Sequence, residues 1–584
     1  MTRVPASARL WLLGTVLLAA CAPAPSALPE PVATRPPTNM PAAWPLFASL
    51  KADTGASGMV VSGSPLASQV GAAILRQGGS AVDAAVAVGF ALAVVHPEAG
   101  NIGGGGFMVI RVADGRTNAL DYRETAPGQA SRDMYLDAQG RLTDQSLTGH
   151  LAAGVPGSVA GLAEAHRRYG KLTWTQVVAP AIRLARDGFV VDEFRSRSIG
   201  GSADRLRRFA ASRAQFLPGG NPPGPGTTLK QPDLAVTLQA IADSGPRAFY
   251  QGRTADLMVE EMDRGNGIIT KADLAAYRPV WRDPIVIKYR GHTIYSMPPS
   301  SSGGVTMAEA LNVLEGYDPL PEFGSARYVH LLAEALRRAF VDRNQYLGDP
   351  AFVRMPLDRL LSKKYAAELR AQIQPDRATP TPAFVSSARD GGHTTHYSVV
   401  DAAGNAVSVT TTINSSYGSA VTVTGAGFLL NNEMDDFAAA PGTPNQYGLV
   451  QGEANAIQPG KRMLSAMTPS IVVDPSGRLR MVLGSPGGPT IITSVTQVIL
   501  NVLDHHLSLS DAVAVTRIHH QALPDLINYE RGGLLPAVVT SLKTMGHEVN
   551  ERSGYSGDIS AIERRGNVWI GVPDPRRGGG AAGY

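Results

Sequence analysis

Gly391-Gly392-His393-Thr394-Thr395-His396-Tyr397-Ser398-Val399-Val400-Asp401 is the stretch whose reading decides the fold. A glycine pair and a histidine run into two threonines. Thr395, Tyr397 and Val399 then alternate with His396, Ser398 and Val400, the period-two pattern of a half-buried β-strand. Two readings fit. In one, a loop enters an edge strand, since Thr is a common strand residue. In the other, Thr394 becomes a chain terminus by self-cleavage, with its hydroxyl as nucleophile and its freed α-amine as base.

Downstream, Ala406 to Ile413 follows a turn at Gly404-Asn405, so the stretch opens a hairpin with Thr412 and Asn414 at its far end. The run Gly427 to Leu430 then delivers Asn431, Asn432, Glu433, Asp435 and Asp436 within six residues. That density suits a cation or an ammonium group, and the spacing of a calcium loop is lacking. Residues 438–456 form a long Pro/Gly/Asn loop carrying Tyr447, the pattern of a lid. A second hairpin, Ser470 to Val473 with Leu479 to Leu483, ends in Gly484-Ser485-Pro486-Gly487-Gly488-Pro489, and an amphipathic helix is predicted to about His505. The N–H groups of a glycine pair before a helix either make an oxyanion hole or simply turn the chain. His505-His506 and His519-His520 have no acid or histidine at i+4, and no metal is expected.

Upstream, helices are predicted at Pro65 to Gln77, at Ala81 to Val95 with Ser80 and Asp83 as a capping box, at Gly157 to Tyr169, at Trp174 to Arg186 and at about Ala326 to Tyr346. Ala81 to Val95 is apolar nearly all round, hence a core helix. The run Gly103 to Gly106 lacks the Lys-Ser/Thr of a phosphate loop and reads as close backbone packing before a strand, Phe107 to Val112. Arg123 is either a surface residue or a bidentate clamp for a carboxylate. Residues 195–232 read as a looser polar stretch, and Ser300 to Ser302 as loop hydroxyls that serve a site or cap a helix.

At 584 residues, 44% hydrophobic and 17% charged, the chain can bury a large core, and its net charge of +4 is scattered, which argues against a nucleic-acid groove. Arg3 and Arg9 precede the apolar run Leu10 to Ala20, too short to span a bilayer and suited to a signal peptide over residues 1–20. Cys21, the sole cysteine, follows Leu18-Ala19-Ala20 as in a bacterial lipoprotein box, and the Pro/Ala-rich residues after it, to about 47, form a tether. The expectation is an exported, periplasmic protein anchored through a lipid on Cys21.

Together the ordered motifs resemble the γ-glutamyltransferase family of N-terminal-nucleophile (Ntn) hydrolases. They are Gly79 to Ala85, Gly103 to Phe107, Asp121 to Glu124, Thr394 to Asp401, Leu430 to Phe437, Gly484 to Gly488 and Asp574 to Arg577. The resemblance implies an α+β, four-layered αββα sandwich. It also implies a precursor cut between His393 and Thr394 into a large subunit, 48–393, and a small one, 394–584, that stay together as a heterodimer. By the same resemblance Thr394 is the nucleophile, Thr412 orients it, and Gly487 and Gly488 form the oxyanion hole. Arg123 and Ser465 hold the substrate α-carboxylate, Asn414, Glu433 and Asp436 hold its ammonium, and Tyr447 belongs to the lid. The implied substrates are glutathione and other γ-glutamyl compounds, with amino-acid or peptide acceptors and no cofactor. Ala466 stands where many members carry a second serine. A glutaryl-type β-lactam side-chain acylase is the alternative, and a non-catalytic binding protein the third reading.

Overall fold

The computed structural model describes residues 37–380 and 394–584, so the expected signal peptide over 1–20, Cys21 and His393 lie outside the described residues. The predicted hairpin is present: Thr394–Val400 pairs antiparallel with Ala406–Thr412, in a register that sets Thr394 opposite Thr412. The edge position and the half burial are not. Met59–Ser62 pairs with the outer side of Thr394–Val400 and Gly105–Arg111 with that of Ala406–Thr412, inside a seven-stranded antiparallel sheet completed by Gly580–Gly583, Thr117–Asp121 and Val280–Arg282.

Every residue of Thr394–Val400 is buried, because both faces of this sheet are covered. Tyr397 and Val399 join the helical core built on Ala81–Val95, while Ser398 faces a second sheet and donates to Ser560 O at 2.8 Å. The polar half of the alternation is therefore an internal seam. Its groups are paired: Ser408 Oγ donates to Leu483 O at 3.0 Å and accepts from Ser470 N, and His396 Nδ1 lies 2.8 Å from Thr410 Oγ1. Burial drops the His396 pKa to about 3, so the ring is neutral there. A polar face normally signals water, but here it signals hydrogen bonds between sheets.

The second seven-stranded sheet runs in the order Asp53–Gly55, Val568–Pro573, Ser560–Arg565, Leu479–Leu483, Ser470–Val473, His292–Ser296, Ile285–Tyr289, also antiparallel. Helices Gly303–Leu314, Ala326–Tyr346 and Thr490–Leu503 share its core, so the layers are helix, sheet, sheet, helix. The αββα expectation holds. Among the described residues no helix is long and apolar enough to cross a membrane.

Ala81–Val95 and Ala326–Tyr346 fall at their predicted bounds, and both halves of the Ser80/Asp83 capping box form. Two readings are corrected. Residues 195–232 contain helices, Glu193–Arg207 and Ala210–Phe216: Asp192 caps the first, and buried Arg195 donates to Val95 O and Gly63 O, so polar side chains there serve the interior. Thr490–Leu503 is nearly all buried rather than amphipathic, since its threonines and Gln497 bond to backbone carbonyls.

Candidate active site

The glycine run does what close packing requires. A Cβ on Gly103 would collide with Leu429 O and one on Gly104 with Thr412 O, so the chain passes directly behind the far end of the hairpin. Asn101 fastens that end, donating to Thr412 O at 2.8 Å and Thr411 Oγ1 at 3.2 Å and accepting from Gly104 N. Thr394 Oγ1 then lies 3.3 Å from Thr412 Oγ1, which also accepts from Asn414 N at 2.8 Å. Asn414 takes φ +71°, a left-handed conformation that Asn tolerates better than most residues.

Both threonines line one small cleft. It brings together Arg123, Asn414, Glu433, Asp436, Tyr447, Ser465 and Gly488, residues drawn from 123 to 488 along the chain only by the fold. Gly487 is not among the lining residues. Among the described residues the N–H groups of Gly487 and Gly488 donate to no acceptor, and both have positive φ, +137° and +56°. Helix Thr490–Leu503 begins two residues later, so two free donors sit ahead of its N-terminus.

The acidic turn is held from behind. Asn431 Oδ1 accepts from Gly154 N and Glu433 N, its Nδ2 donates to Gly103 O and Gly154 O, and Gln451 and Asn455 donate to Asp436 O. Glu433–Asp436 forms one 3-10 turn aimed at Arg123. Arg123 is 1% exposed and pairs with Asp436 through Nη2, with Glu433 at 3.1 Å and with Glu124 at 3.7 Å through Nη1. Burial alone would lower the Arg123 pKa, but the three acids outweigh it and raise it. Burial pushes Glu433 well above the usual carboxylate range, against the pull of Arg123, and raises Glu124 to about 7 and Asp436 as well. One guanidinium is thus shared among two buried acids and the partly exposed Asp436, and all three carboxyls are pushed above their usual range. A second cation entering here would be welcomed.

Tyr447 lies over this cluster. Its hydroxyl donates to Asn414 Oδ1, its carbonyl accepts from Gln521 Nε2 at 3.1 Å, and its ring stands so close to Gly488 that a Cβ there would meet it at 3.2 Å. Ser465 is braced by the serine loop: its N–H donates to Ser300 O, and its carbonyl accepts from Ser302 N and Ser302 Oγ at 2.8 and 2.6 Å. The loop hydroxyls therefore support the site from the second row. Ala466 lines the cleft and offers no hydroxyl.

Two features escaped the sequence reading. Arg343, inside the long helix, lines the cleft, and nothing in its local sequence separates it from Arg337 and Arg338 one turn earlier. His330, Glu334 and His547 also come close together. His330 Nδ1 and His547 Nε2 share a hydrogen bond of 2.7 Å, His330 Nε2 bonds Gln374 O, and Glu334 takes Thr379 and Arg338, so these atoms staple segments together rather than await a metal.

The sequence model of the family described as Gamma-glutamyltranspeptidase matches residues 67–584. The chain belongs to the γ-glutamyltranspeptidase family. Within it, the chain is 46% identical over 536 residues to a glutathione hydrolase proenzyme of Escherichia coli (strain K12), covering 89% of this chain and 90% of that protein. It is also 41% identical to the acylase ACY 1 proenzyme of Pseudomonas sp. (strain V22), over 90% of this chain and 93% of the relative. Among solved structures, the cephalosporin acylase from Bacillus halodurans superposes with a TM-score of 0.82 at 28% identity, covering 91% of this chain and 97% of that one. γ-Glutamyltranspeptidases and acylases thus share this scaffold.

Proposed function

We propose that the chain is a self-processing γ-glutamyltransferase and glutathione hydrolase. What carries this reading is one cleft in which a threonine hydroxyl lies beside a buried guanidinium–carboxylate pair. That pair is the complement of the α-carboxylate and α-ammonium of a γ-glutamyl compound. The substrate exchanges with it: Arg123 and Ser465 take the carboxylate, while Asp436, Glu433 and Asn414 take the ammonium.

Thr394 Oγ first attacks the carbonyl of His393, and water hydrolyses the resulting ester, leaving a large subunit that ends at His393 and a small one of residues 394–584. The freed α-amine, with a reference pKa of about 7.7–8.0, then accepts the Thr394 hydroxyl proton at working pH. Attack on the γ-amide carbon places negative charge on its oxygen, to which the N–H groups of Gly487 and Gly488 donate hydrogen bonds; such donors contribute about 3 kcal/mol each. The leaving amine takes the proton from the α-amine. A γ-glutamyl ester on Thr394 remains, released by water or by an amino-acid or peptide amine. Thr412 orients Thr394, and Tyr447 closes over the glutamyl group.

A chromogenic γ-glutamyl anilide offered beside a glutaryl anilide tests the reading, with a denaturing gel run on the same protein. Two bands and preference for the γ-glutamyl compound are expected. Preference for the glutaryl compound would favour the acylase, and one uncut band without turnover would favour the non-catalytic binding protein. The acylase relatives motivate that second reading, but a glutaryl group has no ammonium to pair with Asp436 and Glu433.

The same proposal includes export to the periplasm and a lipid on Cys21, supported by the basic start, the short apolar run and the small residues before the sole cysteine. Radiolabelled palmitate should enter the protein and be lost in Cys21→Ser. No incorporation would return it to the soluble periplasm.

A further inference from the structure

Arg343 is 1% exposed, lines the cleft that holds Thr394, Asp436 and Ser465, and makes no ion pair within 4 Å among the described residues. Its Nε donates to Ser302 Oγ at 2.9 Å, and its Nη1 donates to Asn344 Oδ1 at 2.8 Å and Gln451 Oε1 at 3.4 Å. Its Nη2 has no hydrogen-bond partner among the described residues. Burial pulls its pKa down to about 10, with Asp436 pushing back, so it is cationic at neutral pH.

A buried charge without a counter-charge is costly, and proteins seldom keep one away from a ligand. The contrast with Arg123 is instructive. That guanidinium is shared among three acids and its Nε donates to Met463 O, whereas Arg343 bonds only neutral oxygens. Three acids therefore share one guanidinium while Arg343 has no carboxylate within 4 Å, Asp436 acting on it only from farther off, and a zwitterion brings a cation to the acids and an anion to Arg343. The Ser302 hydroxyl that accepts from Arg343 also donates to Ser465 O, tying the guanidinium to the segment that carries Ser465 and Ala466.

We propose that Arg343 is a specificity-determining residue that binds the α-carboxylate of the substrate through its free Nη2, alongside Arg123 and Ser465. This rests on the γ-glutamyl reading of the site. It gives the carboxylate a donor beyond the hydroxyl that Ala466 does not provide, and it lets Arg123 keep Glu433 while Asp436 turns to the ammonium.

The test compares γ-glutamyl 4-nitroanilide with 4-aminobutyryl 4-nitroanilide, the same molecule without its α-carboxylate. The ratio of their kcat/KM values reads the carboxylate contact alone. A charge-assisted hydrogen bond lost in Arg343→Gln should shrink that ratio about 10- to 100-fold, mainly through KM for the γ-glutamyl compound. Arg343→Lys, which keeps the charge without the fork, should give an intermediate ratio. An unchanged ratio in Arg343→Gln, or equal loss for both substrates, overturns the proposal. If Arg343→Gln does not fold, Arg343→Lys decides: KM raised several-fold for the γ-glutamyl compound only supports the contact, and equal KM values overturn it. Failure of the wild-type protein to turn over the γ-glutamyl compound would instead strike the functional reading.

Discussion

Thr394→Ala is expected to give a single uncut chain with γ-glutamyl turnover lower by a factor on the order of 10⁴ or more. Thr394 carries the hydroxyl set opposite Thr412 by the hairpin register, at 3.3 Å, in the cleft that also holds Arg123 and Asp436. Alanine keeps the strand and removes the one atom that both reactions use. Thr394→Ser retains it and should process and turn over at reduced rates, since a serine lacks the methyl that limits χ1. A denaturing gel reads the first step, and release of the anilide reads the second. Two normal subunits in Thr394→Ala would remove Thr394 as the processing nucleophile, whatever the activity.

Asp436→Asn should move the enzyme toward the acylases. The carboxylate pairs with Arg123 and is the acid on which the ammonium reading depends most directly. Removing its charge leaves the ammonium with Glu433, whose carboxyl burial pushes well above the usual carboxylate range, against the pull of Arg123. A hydrogen bond between charged groups contributes about 1.5–3 kcal/mol, so KM for a γ-glutamyl anilide should rise by about one to two orders of magnitude. A glutaryl anilide, with no ammonium, should lose little, and the preference between the two should narrow or reverse. Breaking a buried ion cluster also costs stability, about 3–5 kcal/mol when a charge is left alone, but here Glu433 and Glu124 still face Arg123. A thermal melt separates that cost from the kinetic change. Parallel losses for both anilides would mean that Asp436 supports Arg123 and does not read the substrate.

The acylase relatives sharpen this comparison. Sequence identity of 41% and a TM-score of 0.82 leave the scaffold common to both activities. On the proposed reading discrimination lies in a few charges of the cleft, where low polarity magnifies each one. Arg343 adds to that set. It is the group whose loss should affect carboxylate recognition while leaving the acids around Arg123 in place.

Much of this was legible in the sequence because it is local. The Ser80/Asp83 box, the apolar helix Ala81–Val95, the two hairpins and the glycine run each follow from spacing over a few residues. The order of the motifs was enough to imply the family and the residues of the cleft, from Arg123 to Gly488. What periodicity misjudged was burial. The polar half of Thr394–Val400 looked solvent-facing, yet it fills a hydrogen-bonded seam between two sheets, and sequence alternation cannot tell water from a second polar layer. Likewise Arg195 and Gln497 made segments look exposed whose polar groups in fact satisfy buried carbonyls.

The sequence by itself determined which groups could do the chemistry, since hydroxyl, glycine pair, acids and arginine are all local identities. Only the tertiary structure decided how charge is shared among them. It showed that Arg123 is divided among three acids and that Arg343, hidden in a run of helical arginines, has none within 4 Å among the described residues. Counter-charges are assigned by distance across the fold, and distances between residues hundreds of positions apart are written in packing, not in spacing.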